Sequence, residues 1–249
     1  MTSLTLLGIK LKLNSKVITL EQIKKYIFHP DGNLHIVSIN PENIIIAQEN
    51  KEFKKVIEEA QIQLADGVGI ILAAKTLNFE VERLTGVELM QALVKLAAEL
   101  RLRVILIGGK PNLALMLADC YNHVYSKAKF LGLEGIINIK KPLKVEEEKI
   151  FSIVTSFKPH LLFTSFGSPE QELWLDRHKR KLKGIVCMGV GGAFDYLGEV
   201  VPRAPRFFQK LGFEWLFRLI IQPWRLVRQL RLLKFSYLVL KQRLSPSTL

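Results

Sequence analysis

Three short apolar segments, each running straight into glycine, constrain the fold more than any other feature of this chain. Arg103-Val104-Ile105-Leu106-Ile107 meets Gly108-Gly109, His160-Leu161-Leu162-Phe163-Thr164-Ser165-Phe166 meets Gly167-Ser168-Pro169, and Ile185-Val186-Cys187-Met188 meets Gly189-Val190-Gly191-Gly192. A strand with one wet face alternates apolar and polar residues, whereas an unbroken apolar run needs cover on both faces. Helices on both sides of a parallel sheet supply that cover. Helix-forming stretches follow two of the segments, through Ala118 and over Glu170–Lys181. The expected architecture is therefore α/β, with a Rossmann-like parallel sheet. Ligands of such sheets sit at the carboxyl ends of the strands, where these glycines fall.

The amino-terminal part fits the same plan. Strands are expected over Leu4–Ile9 and Lys16–Thr19, then a helix opened by a Thr19/Gln22 capping box and carrying Ile23, Tyr26 and Ile27 at helical spacing. After a turn at Pro30–Asn33, the β-branched run His35–Ile39 predicts another strand, and a helix follows over Pro41–Asn50 or Lys51–Gln61. Lys140–Lys149 reads as a charged surface loop entering a helix.

The carboxyl-terminal segment differs in charge and pattern. The net charge is +13, and residues 199–249 carry ten basic and two acidic residues, a net +8. Leu216, Leu219, Ile220, Val227, Leu230, Leu233, Tyr237 and Leu240 form an apolar stripe at helical spacing, interrupted at Pro223. The expectation is a core over residues 1–198 and a helical basic C-terminal appendage over residues 199–249. Such a helix can dock on the core, lie on an acidic leaflet, or do both. Excess positive charge calls for an anionic partner. The start of the chain lacks the pattern of a signal peptide, no uncharged run reaches spanning length, and two cysteines fit a reducing compartment.

Several chemistries are excluded or weakened by spacing. Gly189-Val190-Gly191-Gly192 departs from G-x-G-x-x-G because Phe194 occupies the last position, and no P-loop is present. No nucleophile elbow, nucleic-acid module or Asp-x-Asp occurs, and the five histidines lack ligand spacing, so neither a resident metal nor another cofactor is expected. Glycine turns at strand ends can present backbone N–H groups to a phosphate, or serve the chain geometry alone. Asp66, within Ala65-Asp66-Gly67-Val68-Gly69, suits a general base at a sugar hydroxyl. It equally suits an N-cap for a helix over Ile70–Lys75, and spacing alone favours the cap. Arg83 precedes a Thr85/Glu88 capping box and is an anion-binding candidate. Arg218, Arg225 and Arg228 share a helix face if the helix runs through Pro223.

Taken together, Ala65–Gly69, Glu82–Gly86, Gly167–Trp174, Gly189–Asp195, Arg203-Ala204-Pro205 and Gly212–Leu219 stand in one order. This set resembles the WecG/TagA/CpsF glycosyltransferases of the N-acetylmannosaminyltransferase type, over nearly the whole chain. The resemblance implies inverting, metal-independent transfer of N-acetylmannosamine or a related sugar. The donor is a UDP-sugar and the acceptor is N-acetylglucosamine on undecaprenyl diphosphate, in teichoic acid or other surface polysaccharide synthesis. It implies Asp66 as the base. Ser38, Asn40, Arg83, Gln171, Gly191 and Asp195 become substrate-binding residues, and Arg218, Arg225 and Arg228 close over the donor diphosphate. It implies a peripheral location on the cytoplasmic face of an anionic membrane; a homo-oligomer is compatible with it. Glu170, Ser38 and Gln222 depart from the Lys, Thr and Glu common in the family. The competing readings are a nucleotide-sugar oxidoreductase, disfavoured by the missing dinucleotide fingerprint, and a non-catalytic module binding anionic lipid or nucleic acid.

Overall fold

A computed structural model of the chain describes residues 2–198, 217 and 226–244. Its strands are β1 (Thr2–Leu6), β2 (Ile9–Leu13), β3 (Leu34–Ile39), β4 (Ile62–Ala65), β5 (Arg103–Gly108), β6 (Lys129–Leu133), β7 (Leu161–Ser165) and β8 (Val186–Gly189). They form one sheet in the order β1-β2-β4-β3-β8-β7-β5-β6. Every pairing is parallel except β1 with β2. The helices are α1 (Lys16–Phe28), α2 (Pro41–Glu49), α3 (Lys51–Glu59), α4 (Val68–Thr76), α5 (Gly86–Leu100), α6 (Leu113–Val124), α7 (Lys144–Phe157), α8 (Glu170–Arg177), α9 (Ala193–Leu197) and α10 (Leu226–Leu244).

The unbroken apolar strands do what their composition demands. Ile36, Leu64, Leu106, Phe163 and Met188 face one helix layer, built from α1, α5, α6 and α9. Their sequence neighbours Val37, Ala65, Ile107, Leu162 and Cys187 face the opposite layer, which includes α2, α3, α4, α7 and α8. The sheet is thus buried on both faces at β3, β4, β5, β7 and β8, and its carboxyl edge is where the loops converge.

The amino terminus departs from the expected elements. The second strand is Ile9–Leu13, and residues 16–19 open a helix instead. Leu7 and Gly8 both take positive φ (50° and 75°), which closes a two-residue hairpin ending at the Leu6–Ile9 pair. Ile9, Leu11 and Leu13 are buried and Lys10 and Lys12 exposed, the alternation of a one-sided strand. Ser15, not Thr19, caps α1 by accepting a hydrogen bond from the Ile18 N–H, and Thr19 is buried within the helix. The two alternatives for the next helix are both present, with Asn50 ending α2 and capping α3. The Thr85/Glu88 capping box at the start of α5 is complete, with both reciprocal bonds made.

The tail helix α10 packs on α2 and α4. It docks through Phe235 and Val239, which are buried with the core of that face. Arg231 bonds Glu42 at 2.7 Å, Lys234 bonds Glu49 at 2.6 Å, and Gln242 bridges the Thr5 carbonyl and the Leu7 N–H. Those members of the sequence-derived stripe that the structure describes lie elsewhere. Leu230, Leu233, Tyr237 and Leu240 are 61%, 68%, 67% and 57% exposed. The helix therefore carries two apolar faces, one docked and one open. Among the described residues no helix is long and apolar enough to cross a membrane.

Candidate active site

A cavity of about 980 Å³ opens over the carboxyl ends of β3, β4, β7 and β8. Ser38, Asn40, Asp66, Arg83, Gln171, Gly191 and Asp195 all line it, although they are scattered over 158 residue numbers. Arg218 and Arg225 lie outside the described residues. Arg228 belongs to the first turn of α10, and its side chain is outside the description.

Each lining residue is held by its local structure. Asn40 follows β3 and caps α2, its Oδ1 accepting from the Asn43 N–H at 2.9 Å, while the Asn43 side-chain amide donates to the Ser38 carbonyl at 2.8 Å. The Asp66 N–H donates to the Ile39 carbonyl at 2.8 Å, which ties the end of β4 to that of β3. Asp66 does not cap the helix that follows it: α4 starts from Gly67 with no side-chain cap. Instead its Oδ2 accepts from the Gly86 N–H at 3.2 Å, at the amino end of α5. The helix end and the carboxylate are complementary in charge. The Leu84 N–H donates to the Ala65 carbonyl at 3.1 Å, so the loop carrying Arg83 is laid beside Asp66.

On the other side of the cavity, one carboxamide joins two loops. Gln171 Oε1 accepts from the N–H groups of Gly167 and Gly191, both at 3.2 Å. Gly189 leaves room for it, since a Cβ there would lie 2.6–2.7 Å from the Gln171 side chain. The Gly109 N–H donates to the Ser165 carbonyl. The N–H groups of Gly109, Gly167 and Gly191 are thus directed at protein acceptors. At these three glycines the backbone serves the chain geometry.

Charge in the cavity is mixed. Among the described residues Arg83 and Lys110 are its lining cations, and Lys110 Nζ stands 3.7 Å from Asp195 Oδ1. Lys110 escaped the sequence reading, although its place directly after Gly108-Gly109 at a strand end marks it. Glu172, just behind the lining, is 1% exposed, and burial pushes its carboxyl up to about 6, against the lowering effect of bonds from Gln171 and Ser168. The α4 and α10 side of the cavity is apolar, with Leu72, Leu232, Phe235, Val239 and Leu240. Phe235, Val239 and Leu232 were also not singled out from sequence, because the stripe that drew notice there is the open one. Among the described residues no group of three or more His, Cys, Asp or Glu is placed to hold a metal ion.

Comparison with known proteins gives this geometry its context. An N-acetylglucosaminyldiphosphoundecaprenol N-acetyl-beta-D-mannosaminyltransferase of Staphylococcus aureus strain NCTC 8325 / PS 47 is 28% identical over 241 residues, covering 96% of this chain and 92% of the relative. Proteins of the same name from strains MRSA252 and MW2 match at the same identity and coverage. The sequence profile described as the glycosyl transferase WecG/TagA/CpsF family matches residues 4–249, and with that match spanning nearly its full length the chain belongs to this glycosyltransferase family.

Proposed function

We propose that the cavity binds a UDP-sugar and the N-acetylglucosamine end of a diphosphoundecaprenol acceptor, and that it transfers N-acetylmannosamine or a close relative between them. The observation that carries this reading is the cavity's two-sided lining. The strand-end loops supply Ser38, Asn40, Asp66, Arg83, Lys110 and Asp195, whereas α4 and α10 supply Leu72, Leu232, Phe235, Val239 and Leu240. A polar nucleotide sugar and a lipid-linked acceptor need those two kinds of wall in one place. A volume of about 980 Å³ accommodates both reacting ends.

The chemistry is a single displacement. An acceptor hydroxyl oxygen attacks the anomeric carbon of the donor, the anomeric carbon–oxygen bond to UDP breaks, and the configuration inverts. The hydroxyl proton passes to the Asp66 carboxylate, and the electron pair leaves with the UDP phosphate. Anchoring Asp66 to the α5 amino end fixes the base, and such general-base help contributes about 10²–10⁴-fold. Guanidinium groups offset the charge that builds on the departing diphosphate, without a metal. Arg83 is the described candidate, joined by Arg218, Arg225 and Arg228 of the tail. Arg228 precedes the cavity-lining Leu232 by about one helical turn.

The open stripe of α10, with Lys241 and Arg243 in its last turn, suits peripheral attachment to the inner face of an anionic membrane. Each basic group near such a surface contributes about 1 kcal/mol. Because Leu240 belongs to both the stripe and the cavity lining, a lipid carrier reaches the site without leaving the surface.

The test offers the full chain a panel of UDP-sugars with a GlcNAc-diphospholipid analogue, with and without chelator. Transfer from UDP-N-acetylmannosamine that persists in chelator is expected. Absence of transfer from every UDP-sugar would remove the reading, and transfer abolished by chelator would remove its metal-free step.

A further inference from the structure

Gln171 and Glu172 are adjacent in α8, both buried, yet only Gln171 reaches the cavity. Gln171 has two chemically different ends, and the structure gives each a matching partner. Its Oε1 faces two donors, the Gly167 and Gly191 N–H groups. Its Nε2 donates to Glu172 Oε1 at 2.7 Å and to Ser168 Oγ at 3.3 Å. Ser168 Oγ also donates to Glu172 Oε1, at 3.0 Å. A carboxylate only accepts, so a carboxamide turned over would set its oxygen against Glu172 and its NH2 against two N–H groups. The contacts with Glu172 and with both glycine N–H groups would then be repulsive. A buried carboxylate is costly to keep, and nothing in the sheet packing calls for one here. Its evident task is to give a symmetric-looking side chain a single orientation.

We infer that Glu172 is a positioning residue for donor binding: its buried carboxylate fixes the Gln171 carboxamide, which in turn clamps the Gly167 loop after β7 to the Gly191 loop after β8. The inference rests on the reading of the cavity as a UDP-sugar site. Ser168 is the third member of the clamp. Its hydroxyl satisfies the same carboxylate oxygen and ties the turn before α8 to it. The two clamped loops lead to Asp195 and to α8, so a loosened carboxamide disturbs the wall of the cavity without touching Asp66.

The experiment compares wild type, E172Q and S168A. It measures UDP affinity by calorimetry, steady-state transfer from UDP-N-acetylmannosamine, and the thermal midpoint at pH 7.5. E172Q keeps the shape of the side chain and removes the charge that chooses the orientation. UDP affinity is expected to fall about tenfold, the size of one lost charge-assisted hydrogen bond. The donor KM should rise in step, kcat should stay within about threefold, and the thermal midpoint should hold or rise because a buried charge is gone. S168A should show the same loss of UDP affinity, weaker. Because it keeps the charge and removes a donor to it, its midpoint should fall slightly, so the midpoint criterion applies to E172Q alone. UDP affinity in E172Q within twofold of wild type overturns the inference. A loss of affinity accompanied by a lowered thermal midpoint also overturns it, because that is packing damage and not orientation. Wild-type protein that binds no UDP fails the donor-site reading itself, a result separate from any difference between the variants.

Discussion

Phe235→Ala tests whether α10 is a structural wall of the cavity. Phe235 is 2% exposed and Val239, one turn later on the same face, is 4% exposed. The other attachments are weaker. The Lys234–Glu49 pair is half or more exposed at both ends and the Arg231–Glu42 pair is partly exposed, so water screens both. The Gln242 bridge to Thr5 and Leu7 consists of two hydrogen bonds of about 0.5–1.5 kcal/mol each. Truncating a buried phenylalanine costs about 3–5 kcal/mol, so Phe235 is the largest single contribution to docking. Its loss should lift the helix before it unfolds the sheet. Hydrogen exchange reads this directly. Amides of residues 226–244 should exchange about 100- to 5,000-fold faster, the factor equivalent to 3–5 kcal/mol. Amides of β3, β7 and β8 should keep wild-type protection, and UDP-sugar transfer should drop because the apolar wall is displaced. Wild-type exchange in α10 would refute the docking argument. Equal loss of protection throughout the sheet would refute the claim that the helix is a separable wall.

Two further perturbations follow from the clamp behind the cavity. Gly189→Ala places a methyl carbon 2.6–2.7 Å from the Gln171 carboxamide, within a buried strand end, so overpacking of about 1–3 kcal/mol is expected in urea unfolding together with weakened UDP binding; unchanged stability and binding would contradict that geometry. The Glu172 carboxyl, raised to about 6 from an ordinary 4.5, binds its proton more tightly in the folded chain than in the unfolded one. Folding stability should therefore fall by about 2 kcal/mol as pH rises from below 4.5 to above 6, and E172Q should abolish that dependence; a pH profile identical in wild type and E172Q would show that the carboxyl titrates normally.

The sheet was legible where burial on both faces forced an unbroken apolar run, as in β5, β7 and β8. β4 was harder, because Gln63 interrupts it. Gln63 is 2% exposed yet satisfied, donating to the Ile57 carbonyl and accepting from the Lys12 N–H, and a tolerated buried amide of this kind leaves no trace in hydropathy. The β1–β2 hairpin carried the right signal, alternating Ile9, Leu11 and Leu13. The expected strand over Leu4–Ile9 runs through the turn, and the second strand was expected at Lys16–Thr19, because the turn Leu7-Gly8 lacks the usual Asn-Gly or Asp-Gly. Strand order has no local signature at all. At the site, residue types were readable and partners were not. Asp66 was visible as an acid between small residues, but the Gly86 N–H that anchors it comes twenty residues later, from another helix. In α10 the apolar periodicity marked the open face and left the docked face unread. Two apolar faces lie on one helix, and the spacing rule cannot say which one the core takes.

The central claim is that Asp66 removes the acceptor proton in a cavity that joins a nucleotide-sugar donor to a lipid-linked acceptor. Single-turnover transfer by Asp66→Asn, measured beside its UDP affinity and thermal midpoint, tests this most directly. The amide can still accept from the Gly86 N–H, so folding and UDP affinity should match wild type while the transfer rate falls about 10²–10⁴-fold. An Asp66→Asn protein that transfers sugar within a few-fold of the wild-type rate contradicts the claim and leaves Asp66 a capping residue of α5.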